Sequence, residues 1–182
     1  MIIRSFNMKN LIIVFLSIII FQFSFANDGD KFPTIKGETL KNKMIELPKA
    51  AKGKYCLIGM ASSQKAEADL QSWMQPVYDL FINQNTFIPI DYNMEIFFVP
   101  MFTGANQATY NKVMKKTKSE IDPELAPYVL FYKGSLAPCK AHLKDKKIPY
   151  FFVLDENGKV VYSTSGKYTA KKLDEIEKLV SM

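Results

Sequence analysis

The sequence predicts an α/β sandwich built on a mixed sheet, and three observations carry that prediction. Tyr55–Ala61 is a near-continuous apolar run, as expected of a central strand covered on both faces. The stretch after it repeats apolar residues at three- and four-residue steps (Leu70, Trp73, Val77, Leu80, Phe81), the signature of a helix burying one face. At the other end of the chain, two apolar runs flank Asp155-Glu156-Asn157-Gly158, where Asn-Gly accepts the positive φ of a tight turn. Crossovers through helices make neighbouring strands parallel, and the hairpin makes its pair antiparallel.

Each element follows from local signals. Thr39–Leu47 alternates at Met44, Ile45 and Leu47 and reads as an edge hairpin, with Pro48 and Gly53 punctuating the approach to Tyr55–Ala61. Ser62-Ser63 supplies a helix N-cap, since a serine hydroxyl satisfies a free backbone N–H. The helix is expected over Gln64–Gln84, with Pro76 removing one hydrogen bond and kinking it. Asn85–Asn93 reads as a loop and Met94–Met101 as the second strong strand, with Pro100 near the sheet margin. Asn106–Thr117 reads as a polar helix, Tyr128–Tyr132 as a short strand, and Leu136–Lys147 as a polar helix or turn region. Tyr150–Leu154 and Lys159–Thr164 form the C-terminal hairpin. Thr169 caps a last helix with Leu173, Ile176, Leu179 and Val180 on one face.

The first 26 residues stand apart. Arg4 and Lys9 give a positive start, Leu11–Phe21 is apolar except for Ser17, and Ser24-Phe25-Ala26 places small residues where a signal peptidase reads. The expectation is a signal peptide over residues 1–26 and one domain over 27–182, exported to the periplasm or secreted. The membrane is then involved only through this segment, if it stays uncleaved. The chain carries a net charge of +6, to which Arg4 and Lys9 contribute two. The remaining excess is spread along the chain, with small clusters at Lys115-Lys116, Lys144–Lys147 and Lys171-Lys172 that read as solvated faces rather than the dense basic stripe with stacking aromatics that nucleic acid requires. No nucleic-acid partner is expected.

The segment Ile148-Pro149-Tyr150-Phe151-Phe152-Val153-Leu154-Asp155-Glu156-Asn157-Gly158-Lys159-Val160-Val161 resembles the second half of thioredoxin-like proteins. There a proline, usually cis, precedes a buried strand that ends in Asp-x-x-Gly before a hairpin partner, a glycine and a last helix. Phe32-Pro33, Gly37, Leu40, Leu47-Pro48 and Gly53-Lys54 resemble the entry to exported members of that superfamily. The resemblance implies a three-layer sandwich with helices on both faces of the sheet, and a cis Ile148–Pro149 bond. Within the superfamily, Phe32-Pro33 with Leu47-Pro48, Ser72-Trp73-Met74-Gln75-Pro76 and Tyr150–Asp155 resemble the mitochondrial ATP-synthase assembly factor family. That likeness implies a role in assembling or chaperoning a protein complex, without implying that this chain serves that particular complex.

The sequence departs from the redox-active members of the superfamily at one place. In a thiol oxidoreductase the helix start after the first central strand carries Cys-x-x-Cys, because the helix dipole and free N–H groups stabilise a thiolate there. Here that turn reads Met60-Ala61-Ser62-Ser63-Gln64-Lys65-Ala66-Glu67, with Gln64 and Glu67 near the positions of the pair. Neither can form a mixed disulfide. The two cysteines, Cys56 and Cys139, match no metal or redox spacing, and the sequence leaves open whether they are bridged. Cys139 follows Pro138 in a polar stretch that would leave it exposed.

The expected function is therefore a redox-inactive protein that binds a protein partner in the old substrate cleft. Ser62, Ser63, Gln64, Ile148, Pro149 and Tyr150 frame that cleft, without catalytic residues, metal or cofactor. Two readings stand beside it: a thiol–disulfide oxidoreductase or peroxidase using Cys139, and a structural domain with no surviving cleft function. Trp73 is read as a core anchor, with a place in the recognition groove as the alternative. Ser62 and Ser63 lack a general base nearby in sequence, and the single histidine, His142, lies among lysines with no companion ligands.

Overall fold

The computed structural model describes residues 30–83 and 90–181, so the expected signal peptide and part of the loop after the first helix lie outside the described residues. A seven-stranded mixed sheet has the order β2-β1-β5-β4-β3-β6-β7. Its strands are β1 (Ile35–Thr39), β2 (Met44–Leu47), β3 (Tyr55–Ala61), β4 (Met94–Thr103), β5 (Leu130–Gly134), β6 (Tyr150–Leu154) and β7 (Val160–Ser165). Three α-helices follow in chain order: α1 (Gln64–Phe81), α2 (Tyr110–Glu120) and α3 (Ala170–Val180). β3, β4 and β5 run parallel, while β6 pairs antiparallel with both β3 and β7, and β1 with both β2 and β5. The expected mixed sheet, edge hairpin and C-terminal hairpin are all present.

The path of the chain decides what covers each face. The crossovers β3-α1-β4 and β4-α2-β5 step across the sheet in the same direction, so a right-handed connection puts both helices on the same side. α1 and α3 bury Leu70, Trp73, Val77, Phe81, Leu173, Ile176 and Val180 against Leu57, Phe98, Phe151 and Val153. On the same face α2 buries Tyr110 and Met114 against Phe102 and Phe131. The alternate residues of those strands point the other way, with Cys56, Ile58, Met60, Val99, Leu130 and Phe152 in one cluster. That second face has no α-helix among the described residues. It is roofed by Phe32, by short 3-10 turns at Lys49–Ala51 and Ala137–Cys139, and by Leu143 in the link from β5 to β6. β5 and β6 flank the β4-β3 pair, so this link must pass over two strands.

Several elements shift from their expected limits. The polar helix begins as a 3-10 turn over Gly104–Thr109, where Gly104 has φ 56°, and becomes α-helical only at Tyr110. Tyr110 is the anchor: its ring meets Phe102 and Phe131 edge-on, and its hydroxyl donates to Glu38 Oε2 at 2.6 Å. β5 starts two residues late because Ala126–Tyr128, with Pro127, forms a 3-10 turn. Leu136–Lys147 is turn rather than helix. α1 runs unbroken through Pro76. The cis X-Pro bond among the described residues is Leu47–Pro48, and the expected cis Ile148–Pro149 bond is not observed. Pro149 is instead held at the sheet end, its carbonyl accepting from Gly166 N–H at 2.8 Å. Among the described residues no helix is long and apolar enough to cross a membrane.

Candidate functional site

The carboxyl ends of β3, β4 and β5 open together at one margin of the sheet, the place where open α/β folds build ligand crevices. An open groove of about 720 Å³ lies there. Ser62 and Ser63 form one side together with Lys146, Thr103–Gln107 the floor, and Gly134–Leu136 the other side. The walls are tied together. Gln107 Nε2 donates to the Gly134 carbonyl at 3.0 Å, and Tyr132 Oη donates to the Ser135 carbonyl at 2.6 Å. Ser63 holds two positions at once: its Oγ accepts from Ala66 N–H at 3.2 Å as the α1 cap and donates to the Lys146 carbonyl at 2.6 Å. The cap read from the sequence thus also tethers the β5–β6 link to the helix start.

The six expected site residues divide into two groups. Ser62 and Ser63 line the groove, Ser62 almost wholly buried. Gln64 is exposed on the first turn of α1. Ile148, Pro149 and Tyr150 lie outside the groove lining. The β3–β6 register ends at Met60↔Tyr150, so Ile148 and Pro149 sit just past the last paired residues, on the helix-start side of the sheet. Tyr150 Oη accepts from Asp145 N–H at 2.7 Å and fixes the link that leads into Pro149. Sequence reasoning missed Thr103–Gln107 and Gly134–Leu136. Gly104 and Gly134, each following an apolar strand, were the signals that the chain turns at this margin.

The sulfur chemistry is located elsewhere. Cys56 and Cys139 are both free thiols, each 1% exposed, in the core of the roofed face. Burial pushes the Cys56 thiol strongly upward, with the Glu95 carboxylate adding to the effect. Burial alone raises Cys139 to about 11. The expectation that Cys139 is exposed is corrected: the 3-10 turn Ala137–Cys139 faces it into the sheet between Leu136 and Leu143. Cys56 lies near the start of β3, at the far end of the strand from Ser63.

The other candidates have structural roles. Trp73 is fully buried, stacked on Phe151 with centroids 4.0 Å apart, and its Nε1–H donates to the Gly166 carbonyl at 3.0 Å. It anchors α1 to the turn after β7, so its place is the core. His142 stacks on Phe32 and meets Phe152 edge-on. Glu67, in the first turn of α1, is half-buried and its carboxyl is held above the ordinary carboxylate value by desolvation. Among the described residues no group of three His, Cys, Asp or Glu side chains is placed to hold a metal ion.

Comparison with known proteins agrees with this architecture. A putative thiol:disulfide interchange protein from Chlorobium tepidum matches with TM-score 0.58 at 16% identity, over 87% of this chain and 100% of that one. The thioredoxin domain of a thiol-disulfide oxidoreductase from Bacteroides vulgatus matches with TM-score 0.53 at 21% identity, over 86% and 99%. An exposed lipoprotein thioredoxin from Streptococcus pneumoniae matches with TM-score 0.53 at 15% identity, over 81% and 97%. These likenesses establish the thioredoxin-like fold. No curated protein matches the chain. The model of the ATP10 protein family matches residues 22–182, nearly the whole length and all of the sheet just described. The chain belongs to the ATP10 protein family.

Proposed function

We propose that this protein is a redox-inactive assembly factor that holds a protein partner in the cleft between the α1 start and the Ile148–Pro149 corner. Ser62, Ser63, Gln64, Ile148, Pro149 and Tyr150 contribute to that contact. The observation that carries the proposal is the separation of sulfur from the cleft. The helix start offers a serine cap already bonded to Ala66 and Lys146, while both thiols are sealed in the core with raised pKa values. A nucleophilic thiolate needs the reverse, a lowered pKa and an open approach. Membership of the ATP10 family supports an assembly role, and the leader-like residues 1–26 support export to the periplasm or the medium.

A photo-crosslinking residue at Gln64 or Tyr150 tests the partner contact in cells. Capture of one defined protein from both positions is the expected result; capture from neither rejects a cleft role and favours a domain without one. Insulin-reduction and peroxidase assays test the chemistry. No turnover is expected, and turnover that disappears in Cys139→Ser would replace the assembly reading with an enzymatic one. Amino-terminal sequencing of the mature protein is expected to begin at Asn27.

A further inference from the structure

The charge that lines the groove is positive. Lys146 is the single charged residue among those lining the groove. It belongs to a run in which Lys140, Lys144, Lys146 and Lys147 are all exposed within eight residues. Asp145 is the one carboxylate in that run, and its Oδ1 is occupied by Lys147 N–H at 2.8 Å. Three lysines elsewhere form ion pairs: Lys36 with Glu46, Lys54 with Glu95 and Lys116 with Glu120. Among the described residues none of the four rim lysines has an ion pair of this kind. The backbone at Asp145 and Lys146 is fixed, by Ser63 Oγ on the Lys146 carbonyl and by Asp145 N–H on Tyr150 Oη. A basic rim held in place costs less ordering on binding than a mobile one. Unmatched charge on a fixed rim favours a partner of opposite sign and speeds its encounter.

We infer that the partner segment is acidic and extended: a stretch of polypeptide rich in Asp and Glu that lies in the groove across the ends of β3, β4 and β5, with its carboxylates on Lys140, Lys144, Lys146 and Lys147. The groove suits an extended chain, since Gly104 and Ala105 in the floor and Gly134 in the wall offer little side-chain bulk. At Gly104 even an added Cβ would meet nothing within 4 Å. This inference rests on the cleft-binding reading and extends that contact, from the shared Ser62–Ser63 side, into the groove.

Fluorescence anisotropy with labelled ten-residue (Glu-Gly)5, (Gln-Gly)5 and (Lys-Gly)5 peptides tests it on the full chain. The acidic peptide is expected to bind and the other two not, with affinity falling as salt rises through about 0.1 M, where the screening length is roughly 10 Å. Replacing Lys140, Lys144, Lys146 and Lys147 together with Gln is expected to weaken binding roughly tenfold or more. Replacing the four α2 lysines, Lys112, Lys115, Lys116 and Lys118, removes the same charge away from the groove and is expected to change it little. Equal losses in both variants, equal binding of the neutral peptide, or no binding of the acidic one overturns the inference. So does preferential binding of the rim to vesicles containing about a third phosphatidylserine, which would identify the basic run as a membrane contact. Cross-linking from Gln64 is read separately. If it captures a partner equally in wild type and rim variant, the cleft reading survives and the acidic occupant does not; capture lost in the rim variant supports both.

Discussion

The two faces of the sheet are built by different means, and the contrast explains where chemistry is absent and where contact is possible. The helix face is closed by three amphipathic helices and dominated by aromatic packing: Trp73 on Phe151, Tyr168 edge-on to Trp73, and Phe81 edge-on to Tyr92. The opposite face is closed by turns and by a link that owes part of its position to single hydrogen bonds, and it holds both thiols. One face is a scaffold whose stability comes from area and shape. The other roofs the core with a segment whose outer surface carries the basic rim.

Cutting into the helix face should produce the largest loss. Trp73→Ala removes the ring stacked on Phe151, the bond to Gly166 and the support under Tyr168. A loss of about 3–5 kcal/mol is expected, the usual range for a large aromatic deleted from a core, read from the urea midpoint. A loss under about 1 kcal/mol would mean that the helices, not the aromatic stack, hold this face. Gly59→Ala probes the same face by overfilling it. A Cβ at Gly59 would sit 2.6 Å from Phe151 Cε1 and 2.9 Å from Leu70 Cδ1, between β6 and α1. The expected cost is about 1–3 kcal/mol.

The contrast also decides what could be read from the sequence. Periodicity reports a surface that a segment buries, so α1, α3, β3 and β6 were legible, and the caps Ser63 and Thr169 marked where the two helices begin. The turn Asp155–Gly158 was legible because the φ of 77° at Gly158 favours glycine. The β5–β6 link has no period: Cys139 and Leu143 are buried, and Leu136 half-buried, one at a time in a path set by β6 lying beyond β3. Local composition therefore suggested an exposed Cys139, and long-range topology buried it. The groove was half legible for the same reason. Ser62 and Ser63 follow a strong strand, whereas Thr103–Gln107 and Gly134–Leu136 join them only because β4 and β5 end beside β3. The cis proline expectation at Ile148–Pro149 came from family likeness alone, and the structure has its cis bond at Leu47–Pro48.

On the roofed face the thiols give a pH signature. Cys139 titrates near 11 when folded against an ordinary value near 9. Between those values the unfolded chain has lost the proton and the native state retains it, so the native state binds more protons. Stability is therefore complete below pH 9 and falls as pH rises toward 11, by about 1.4 kcal/mol per pH unit for one such group. Cys56, raised by burial and Glu95, adds a loss of the same sign. Cys139→Ala is expected to flatten the slope by one proton between pH 9 and 10, before the buried tyrosines contribute. Equal slopes in the two proteins would mean that Cys139 is not sealed. Ellman's reagent at pH 8 is expected to reach neither thiol until urea unfolds the chain.

The smallest effect is expected where the two faces meet, at Ser63. Ser63→Ala loses the cap to Ala66 N–H and the tether to the Lys146 carbonyl together. Cap removal typically costs about 1 kcal/mol, within a range of roughly 0.5–2. The tether is the informative part, because it is a side-chain contact between the helix start and the link. Ser63→Asp separates the two: a carboxylate still accepts from the helix N–H groups and suits the positive helix end, but it cannot donate to a carbonyl. Hydrogen exchange over residues 144–148 is expected to quicken in both variants, while global stability falls mainly in Ser63→Ala. If exchange there stays at the wild-type rate in both, the link is held by Asp145 on Tyr150 alone, and the basic rim owes its position to the roofed face rather than to the helix start.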